Sequence, residues 1–509
     1  MAKFSRRDFI KFGSVLTAGT LAQSFLHFLG SETERPNIIV LLFDALSAKH
    51  MSLYGYPRET TPRMSKFAER ATVYHNHYSA GNFTTPGTAS LLTGMLPWKH
   101  RAYTQGGLVK RNLISNNIFS LLGNDYYRLA FSQNPWPDRL VGQFHNDVDR
   151  FLPSTTYSLR GNKLVSDKLS NDRSLAATAF EDFLFTLNTD IVGSSLLGFL
   201  YKNLALDAIL KTRDHPWYPR GVPEVEGFTT YINENIFAGV FRELQSLADR
   251  REPYFSYFHL FSPHFPYKPG RKYWKLFVDD GFQPLQKPVH PLGFGMSEDD
   301  LLSKRNLYDQ QIAHVDAEFG NLIDKLDAEG LLENSYVVVT SDHGEIFERG
   351  FYGHGGVILY EPAINIPLLI SSPEQSARHD VYSPSCNTDL LPSLLGIGNK
   401  EIPSVVDGEL LPGFNREETN DRPIFSIYAA ENSVFLPLKK FALSMRRGSY
   451  KLIAYFGYPG YDDVYELYDL ENDPEELQNL TKDRPGIFSL MKEELLENLS
   501  SANKPYEDL

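Results

Sequence analysis

The chain has 509 residues, 42% hydrophobic and 13% aromatic, which supplies a large core and argues against disorder. Its formal net charge of -13 argues against nucleic acid as the main partner, because phosphate contacts need clustered Lys and Arg. The single cysteine, Cys386, excludes an intramolecular disulfide and a Cys-based metal site, and it reads as a small buried hydrophobe.

At the start, Ser5-Arg6-Arg7-Asp8-Phe9-Ile10-Lys11 resembles the twin-arginine export motif, and an apolar stretch from Phe12 to Leu29 follows. Basic, then apolar, then small is the order of an export signal. Residues 1–34 are therefore expected to engage the twin-arginine translocase, giving an exported protein of the periplasm or cell surface. No clean small-x-small cleavage site stands out. Membrane association through an uncleaved signal stays open, although roughly 18 residues is the lower edge for spanning a bilayer.

The first folded element is expected at Asn37 to Phe43, a continuous apolar run closed by Asp44. Such a run reads as a strand buried on both faces. Similar runs recur at 254–260, 336–340 and 366–371. Between the second and third of these four runs lies a helical pattern at Ile312, Val315, Phe319, Leu322, Ile323 and Leu326, with Gly330 near its C-terminal cap. Alternating strands and helices predict an α/β fold with a large, mostly parallel central sheet. This main domain is expected over 35–425, interrupted by a helical insertion at 155–250. Residues 426–509 change character: short alternating strands at 441–446, 450–455 and 465–470, then a helix after Pro485-Gly486, predict a small antiparallel α+β domain.

Several polar residues fall where strands should end, and ligands of open α/β sheets gather at carboxyl ends. Asp44 closes the first run, Asp342-His343 closes the run at 336–340, and His264 follows 254–260. Two carboxylates and an imidazole form a divalent-metal donor set. Thr84 and Thr85 precede Pro86 at the start of a predicted helix. They suit helix capping. They equally suit a nucleophile, because N–H groups at a helix N-terminus stabilise an anion and a metal lowers a hydroxyl pKa. At this level the two roles stand even.

The order of motifs resembles the sulfatase-like branch of the alkaline phosphatase superfamily. Arg35-Pro36-Asn37 to Asp44 resembles its opening strand, and Ser90-Leu91-Leu92-Thr93-Gly94 resembles the tail of its signature. Thr340 to Glu345 and Tyr352-Gly353-His354-Gly355 resemble the late metal motif, followed by Tyr360 to Ile370. Tyr450-Lys451-Leu452 and Glu466 to Pro474 resemble the small C-terminal domain.

The resemblance implies one divalent metal ion held by Asp44, Asp342 and His343, with Thr84 completing the site as nucleophile and Thr85 as its fallback. His264 and His354 become candidates for protonating the leaving group or binding the anion. Lys99 and His100 become candidates for neutralising substrate oxygens. The chain departs from the family in three places: Thr84 stands where a Cys or Ser becomes formylglycine, Thr88 replaces the signature Arg, and Ala45 replaces an acid. Threonine cannot yield formylglycine, because its Cβ carries a methyl group. A sulfated threonine lacks the exit that an aldehyde hydrate offers, whereas a phosphothreonine can be attacked at phosphorus by water or an acceptor alcohol, so hydrolase and transferase both stay open. The departures therefore favour phosphoryl over sulfuryl esters of a small molecule, glycan or lipid. A retained imidazole favours manganese or zinc over calcium. The alternatives are a formylglycine-independent sulfuric ester hydrolase and a catalytically silent anion-binding relative.

Overall fold

A computed structural model describes residues 35–159, 216–225, 229–250, 252–414 and 416–507. The proposed export signal lies outside them, as does most of the proposed helical insertion. Among the described residues, no helix is long and apolar enough to cross a membrane.

Eight strands form the central sheet. They are β1 (Asn37–Phe43), β2 (Thr72–Tyr74), β3 (Tyr127–Ser132), β4 (Arg150–Leu152), β5 (Tyr254–Leu260), β6 (Ser335–Ser341), β7 (Leu368–Ser371) and β8 (His379–Val381). Their order is β8-β2-β7-β6-β1-β5-β3-β4. β7 pairs antiparallel with both neighbours, and every other pairing is parallel. The α/β expectation holds.

Alternation along β1 explains its unbroken apolar run. Ile39, Leu41 and Phe43 pack on one face with α1 (Pro62–Ala68), α4 (Asn233–Ala248) and α5 (Glu298–Ala328). Ile38, Val40 and Leu42 pack on the other with α2 (Thr84–Thr93), α3 (Pro135–Gly142) and α6 (Leu390–Ile397). Helices on both faces leave no strand position facing water, so neither parity is polar. α5 begins earlier than its apolar pattern: Ser297 caps it by accepting from the Asp300 N–H, and Glu298, Asp299 and Asp300 favour the positive end of its dipole.

Register places the site. Phe43 pairs with Leu260 of β5 and Ser341 of β6, and Ser132 of β3 pairs with His259. Four parallel strands thus finish side by side, and the residues just beyond them share one edge.

The C-terminal strands β9 (Ile424–Tyr428), β10 (Phe441–Arg447), β11 (Tyr450–Phe456) and β12 (Val464–Asp469) form an antiparallel sheet in that order. Helix α7 (Pro485–Asn503) covers one face through Met491 and Leu495. Ile424, Ala442, Ile453 and Tyr455 pack against Ile346, Phe351 and Ile358 on the other. The described residues from Asn37 onward form one compact unit, and a bridge from Ile427 to Gly81 joins β9 to the loop before α2.

A candidate metal centre and active site

Asp44 and Asp342 are fully buried, as is His343. One ligand atom from each lies within 4.8 Å of the others. His343 Nε2 is 3.4 Å from Asp44 Oδ1 and 3.6 Å from Asp342 Oδ2, and both of these oxygens lack hydrogen-bond donors. The remaining oxygens are already used. Asp342 Oδ1 accepts from the Ala45 and His343 N–H groups at 3.2 and 3.0 Å. Asp44 Oδ2 accepts from Asn134 Nδ2 at 2.6 Å and lies 3.3 Å from His259 Nε2.

Two orphaned carboxylate oxygens beside an imidazole nitrogen are costly without a cation. The electrostatics agree. Burial raises the carboxyl of Asp342, and the neighbouring Asp44 raises it further. Burial would raise Asp44 too, but His264, His259 and His343 outweigh it and hold it well below the carboxylate range. Burial disfavours charge on His343, yet Asp342 and Asp44 push its imidazole up to about 9. The pocket therefore calls for positive charge. His343 Nδ1 donates to the Gly344 carbonyl at 2.8 Å, which in the neutral ring leaves the Nε2 lone pair facing the carboxylate oxygens, as a metal ligand requires. This donor set fits a divalent metal.

Thr84 opens α2, but it does not cap it: the cap position is Phe83, with no side-chain cap bond. Instead Thr84 Oγ1 sits 3.2 Å from His343 Nε2. Thr85 Oγ1 accepts from the Gly106 N–H at 3.2 Å. The helix start can approach so closely because residue 87 is glycine. A Cβ there would stand 2.1 Å from the Asp342 carbonyl oxygen.

A cleft of about 300 Å³ opens above Thr84, lined by Phe83, Thr85, Gln105, Trp136, His264, His354 and Tyr428 among others. The rings of His343 and His354 are 4.3 Å apart, and those of His354 and His264 are 4.7 Å apart. His354 Nδ1 donates to the buried carboxylate of Glu345 at 3.2 Å, and His264 Nδ1 donates to the Phe265 carbonyl at 2.6 Å. Both rings line the cleft.

Lys99 and His100 are not brought to this cleft, which corrects the expectation for them. Ten helical residues carry the chain about 15 Å from Thr84. Lys99 Nζ pairs with Asp407 at 2.7 Å. His100 is buried and bonded to Ser90 Oγ at 3.0 Å, with burial lowering its imidazole to about 3. Conversely, the sequence reading did not single out His259 or Asn134. His259 lies inside β5, where it reads as core, and its Nδ1 is 3.0 Å from Tyr257 Oη. Asn134 reads as the N-cap of α3, and it does accept from the Trp136 N–H at 3.0 Å.

The sulfatase family's sequence profile matches residues 36–399. The chain belongs to the sulfatase family. A second profile, the C-terminal part of N-sulphoglucosamine sulphohydrolase, matches residues 348–504 of this sulfatase-family hydrolase. Choline-sulfatase of Rhizobium meliloti is 25% identical, covering 89% of this chain and 84% of that protein. The uncharacterized sulfatase YidJ of Escherichia coli is 28% identical, covering 93% and 89%. Among solved structures, the phosphonate monoester hydrolase of Agrobacterium radiobacter superposes with a TM-score of 0.66 at 17% identity, over 92% of this chain and 96% of that one. At that identity the likeness concerns the fold.

Proposed function

We propose that this sulfatase-family protein is an exported phosphoryl-ester hydrolase whose nucleophile is Thr84. The observation that carries the reading is the hydroxyl of Thr84 placed 3.2 Å from His343 Nε2, beside the orphaned oxygens of Asp44 and Asp342 and at the floor of an open cleft. Asp44, Asp342 and His343 would hold a divalent ion, with Thr84 Oγ1 as the fourth donor. The mixed oxygen and nitrogen donors suit manganese or zinc, which when bound would lower the pKa of the neighbouring hydroxyl; Thr84 Oγ1 would then lose its proton to water.

Thr84 Oγ1 then attacks phosphorus, and the bond from phosphorus to the leaving oxygen breaks. His354, steadied by Glu345, and His264 hold the proton that this oxygen takes up. Water next attacks the phosphothreonine and gives its proton to the same imidazole pair; the bond from phosphorus to Thr84 Oγ1 breaks, and that oxygen takes back from solvent the proton it released in the first step. The α2 N-terminus offers N–H groups to the charge developing on the phosphoryl oxygens. A serine or cysteine at position 84 would leave formylglycine chemistry open; a threonine does not.

The test is mass spectrometry of residue 84 after brief incubation with p-nitrophenyl phosphate, bis(p-nitrophenyl) phosphate and p-nitrophenyl sulfate. A phosphoryl-sized adduct on Thr84, absent in Thr84→Ala, supports the reading. Turnover of the sulfate without any Thr84 adduct favours direct attack by water on a sulfuric ester instead. Turnover that survives in Thr84→Ala removes the nucleophile assignment.

A further inference from the structure

The connection from β5 to α5 supplies His264 to the cleft and then runs over the outside of α5. Its stretch from Lys268 to Val278 holds four cations, Lys268, Arg271, Lys272 and Lys275, and no acid, in a chain whose net charge is -13. Lys268 is taken up by Glu224 at 2.7 Å. Arg271, Lys272 and Lys275 are exposed, and among the described residues they form no ion pair. Trp274, Leu276 and Val278 are interleaved with them and are 37%, 49% and 48% exposed. Of the acids nearby, Asp280 is paired with Arg58 and Glu234 with His314, which leaves Asp279 and Glu318.

These side chains face outward because the backbone beneath them is fastened. The Gly270 N–H donates to His314 Nδ1 at 3.1 Å, and the Tyr273 ring stacks on the same imidazole at 4.7 Å. The Lys275 N–H donates to Gln310 Oε1 at 2.8 Å. Phe277 turns inward and is buried, and Arg58 donates to its carbonyl at 3.1 Å. Bonds within the turn, from the Trp274 N–H to Gly270 and from the Leu276 N–H to Tyr273, close it at 3.1 Å each. The turn is therefore ordered before any partner arrives, which favours binding.

We infer that the turn at 271–278 docks the protein on an anionic lipid surface, with Trp274, Leu276 and Val278 at the acyl boundary and Arg271, Lys272 and Lys275 among the headgroups. Long cationic side chains reach headgroup phosphates while the indole and aliphatic groups beside them leave water. An anionic polymer would use the cations but would leave Leu276 and Val278 hydrated. A stable protein partner covers about 800 Å² per side, more than a turn of this length presents. The overall charge of -13 does not oppose docking, because at physiological salt a charge acts over about 8 Å and the lipid meets the local cations.

The experiment sediments the full chain with vesicles of phosphatidylglycerol and phosphatidylcholine in equal parts, and with vesicles of phosphatidylcholine alone. The anionic vesicles should carry the protein down, and raising the salt should release it. Lys272→Gln combined with Lys275→Asn should weaken binding about 25-fold, at roughly fivefold per cation. Asparagine is chosen because Lys275 has a φ of +70°, which asparagine tolerates. Leu276→Ser combined with Val278→Ser should weaken binding by at least about tenfold. None of these positions lines the cleft, so turnover of a soluble aryl ester and the urea midpoint should match the parent.

Absence of binding to the anionic vesicles overturns the inference. So does equal partition of the parent and both double variants, which would place lipid binding elsewhere, as in the apolar stretch at 12–29. Retention on dextran sulfate that is lost with the cations, together with vesicle binding indifferent to Leu276 and Val278, would assign the turn to an anionic polymer instead.

Discussion

Asn134 Nδ2 donates to Asp44 Oδ2 at 2.6 Å, while Asn134 Oδ1 caps α3 through the Trp136 N–H. One side chain therefore ties the end of β3 to the metal-facing carboxylate. His259 Nε2, 3.3 Å from the same Asp44 oxygen, completes the clamp and leaves Oδ1 as the oxygen free to bind a cation. Outer partners of this kind set the orientation of a ligand carboxylate.

Asn134→Asp keeps a capping oxygen but loses the donor to Asp44. It and His259→Ala should each weaken manganese or zinc affinity by about 10- to 100-fold. Chelator competition on the purified protein measures this without reference to turnover. Unchanged affinity in both variants would show that the clamp does not orient Asp44.

Gly87→Ala tests the close approach of α2 to β6. Helix propensity alone predicts a gain of roughly 1 kcal/mol from replacing an interior glycine by alanine. The Cβ, however, would stand 2.1 Å from the Asp342 carbonyl oxygen, so the helix start must move. The expected sign is a loss of about 1–3 kcal/mol in urea unfolding, with weakened metal binding because Asp342 shifts. A stabilised variant would mean that the contact relaxes at no cost.

Much of the metal centre was legible because Asp44 and Asp342-His343 follow unbroken apolar runs, and a polar residue at the end of such a run marks a sheet edge. His259 was not, because an imidazole inside Tyr254–Leu260 has the same pattern as buried core. Asn134 was hidden by its second role as a helix cap. Lys99 and His100 are the reverse case. They are near Thr84 in sequence, but α2 carries them to its far end, where Asp407 and Ser90 hold them. Alternation marks three of the four C-terminal strands but not β9, which the expected boundary at 425/426 cuts through. That Tyr428 of this sheet lines the cleft depends on a long-range bridge from Ile427 to Gly81, which no local pattern encodes.

Acid stability should depend on the buried trio His50, Asp309 and Arg58. Asp309 is buried; burial alone would raise its carboxyl, but His50, Arg58 and Tyr56 outweigh this and hold it below the ordinary range. Burial lowers His50, with Asp309 opposing. A depressed carboxyl contributes stability above its unfolded pKa of about 3.9, lost as pH falls through the lower folded value. A depressed histidine adds a loss of the same sign below about 6.5. The urea midpoint should therefore fall as pH drops from 7 to 3.5, and Asp309→Asn should flatten the lower part of that slope. An unaltered slope in the variant would assign acid sensitivity elsewhere.

Docking of the C-terminal sheet rests on Lys451, which is fully buried in β11. Its Nζ reaches Glu361 Oε1 at 3.0 Å and Glu476 Oε1 at 2.8 Å. Burial opposes the charge on Glu361, but Lys451, Lys49 and Arg446 hold it down to about 2, so it stays ionised in the fold. Removing the ammonium leaves a buried carboxylate facing a second one. Lys451→Met should lower stability by about 3–5 kcal/mol, since breaking one side of a buried pair costs far more than replacing both. The double variant Lys451→Met with Glu361→Gln should recover part of that loss, although Glu361 also accepts from Tyr78 Oη at 2.9 Å. Because the same sheet delivers Tyr428 to the cleft, the single variant should also raise KM for an aryl diester more than it lowers kcat. A single variant as stable as the parent would mean that apolar packing through Ile424, Ala442 and Ile453 suffices to hold the sheet in place.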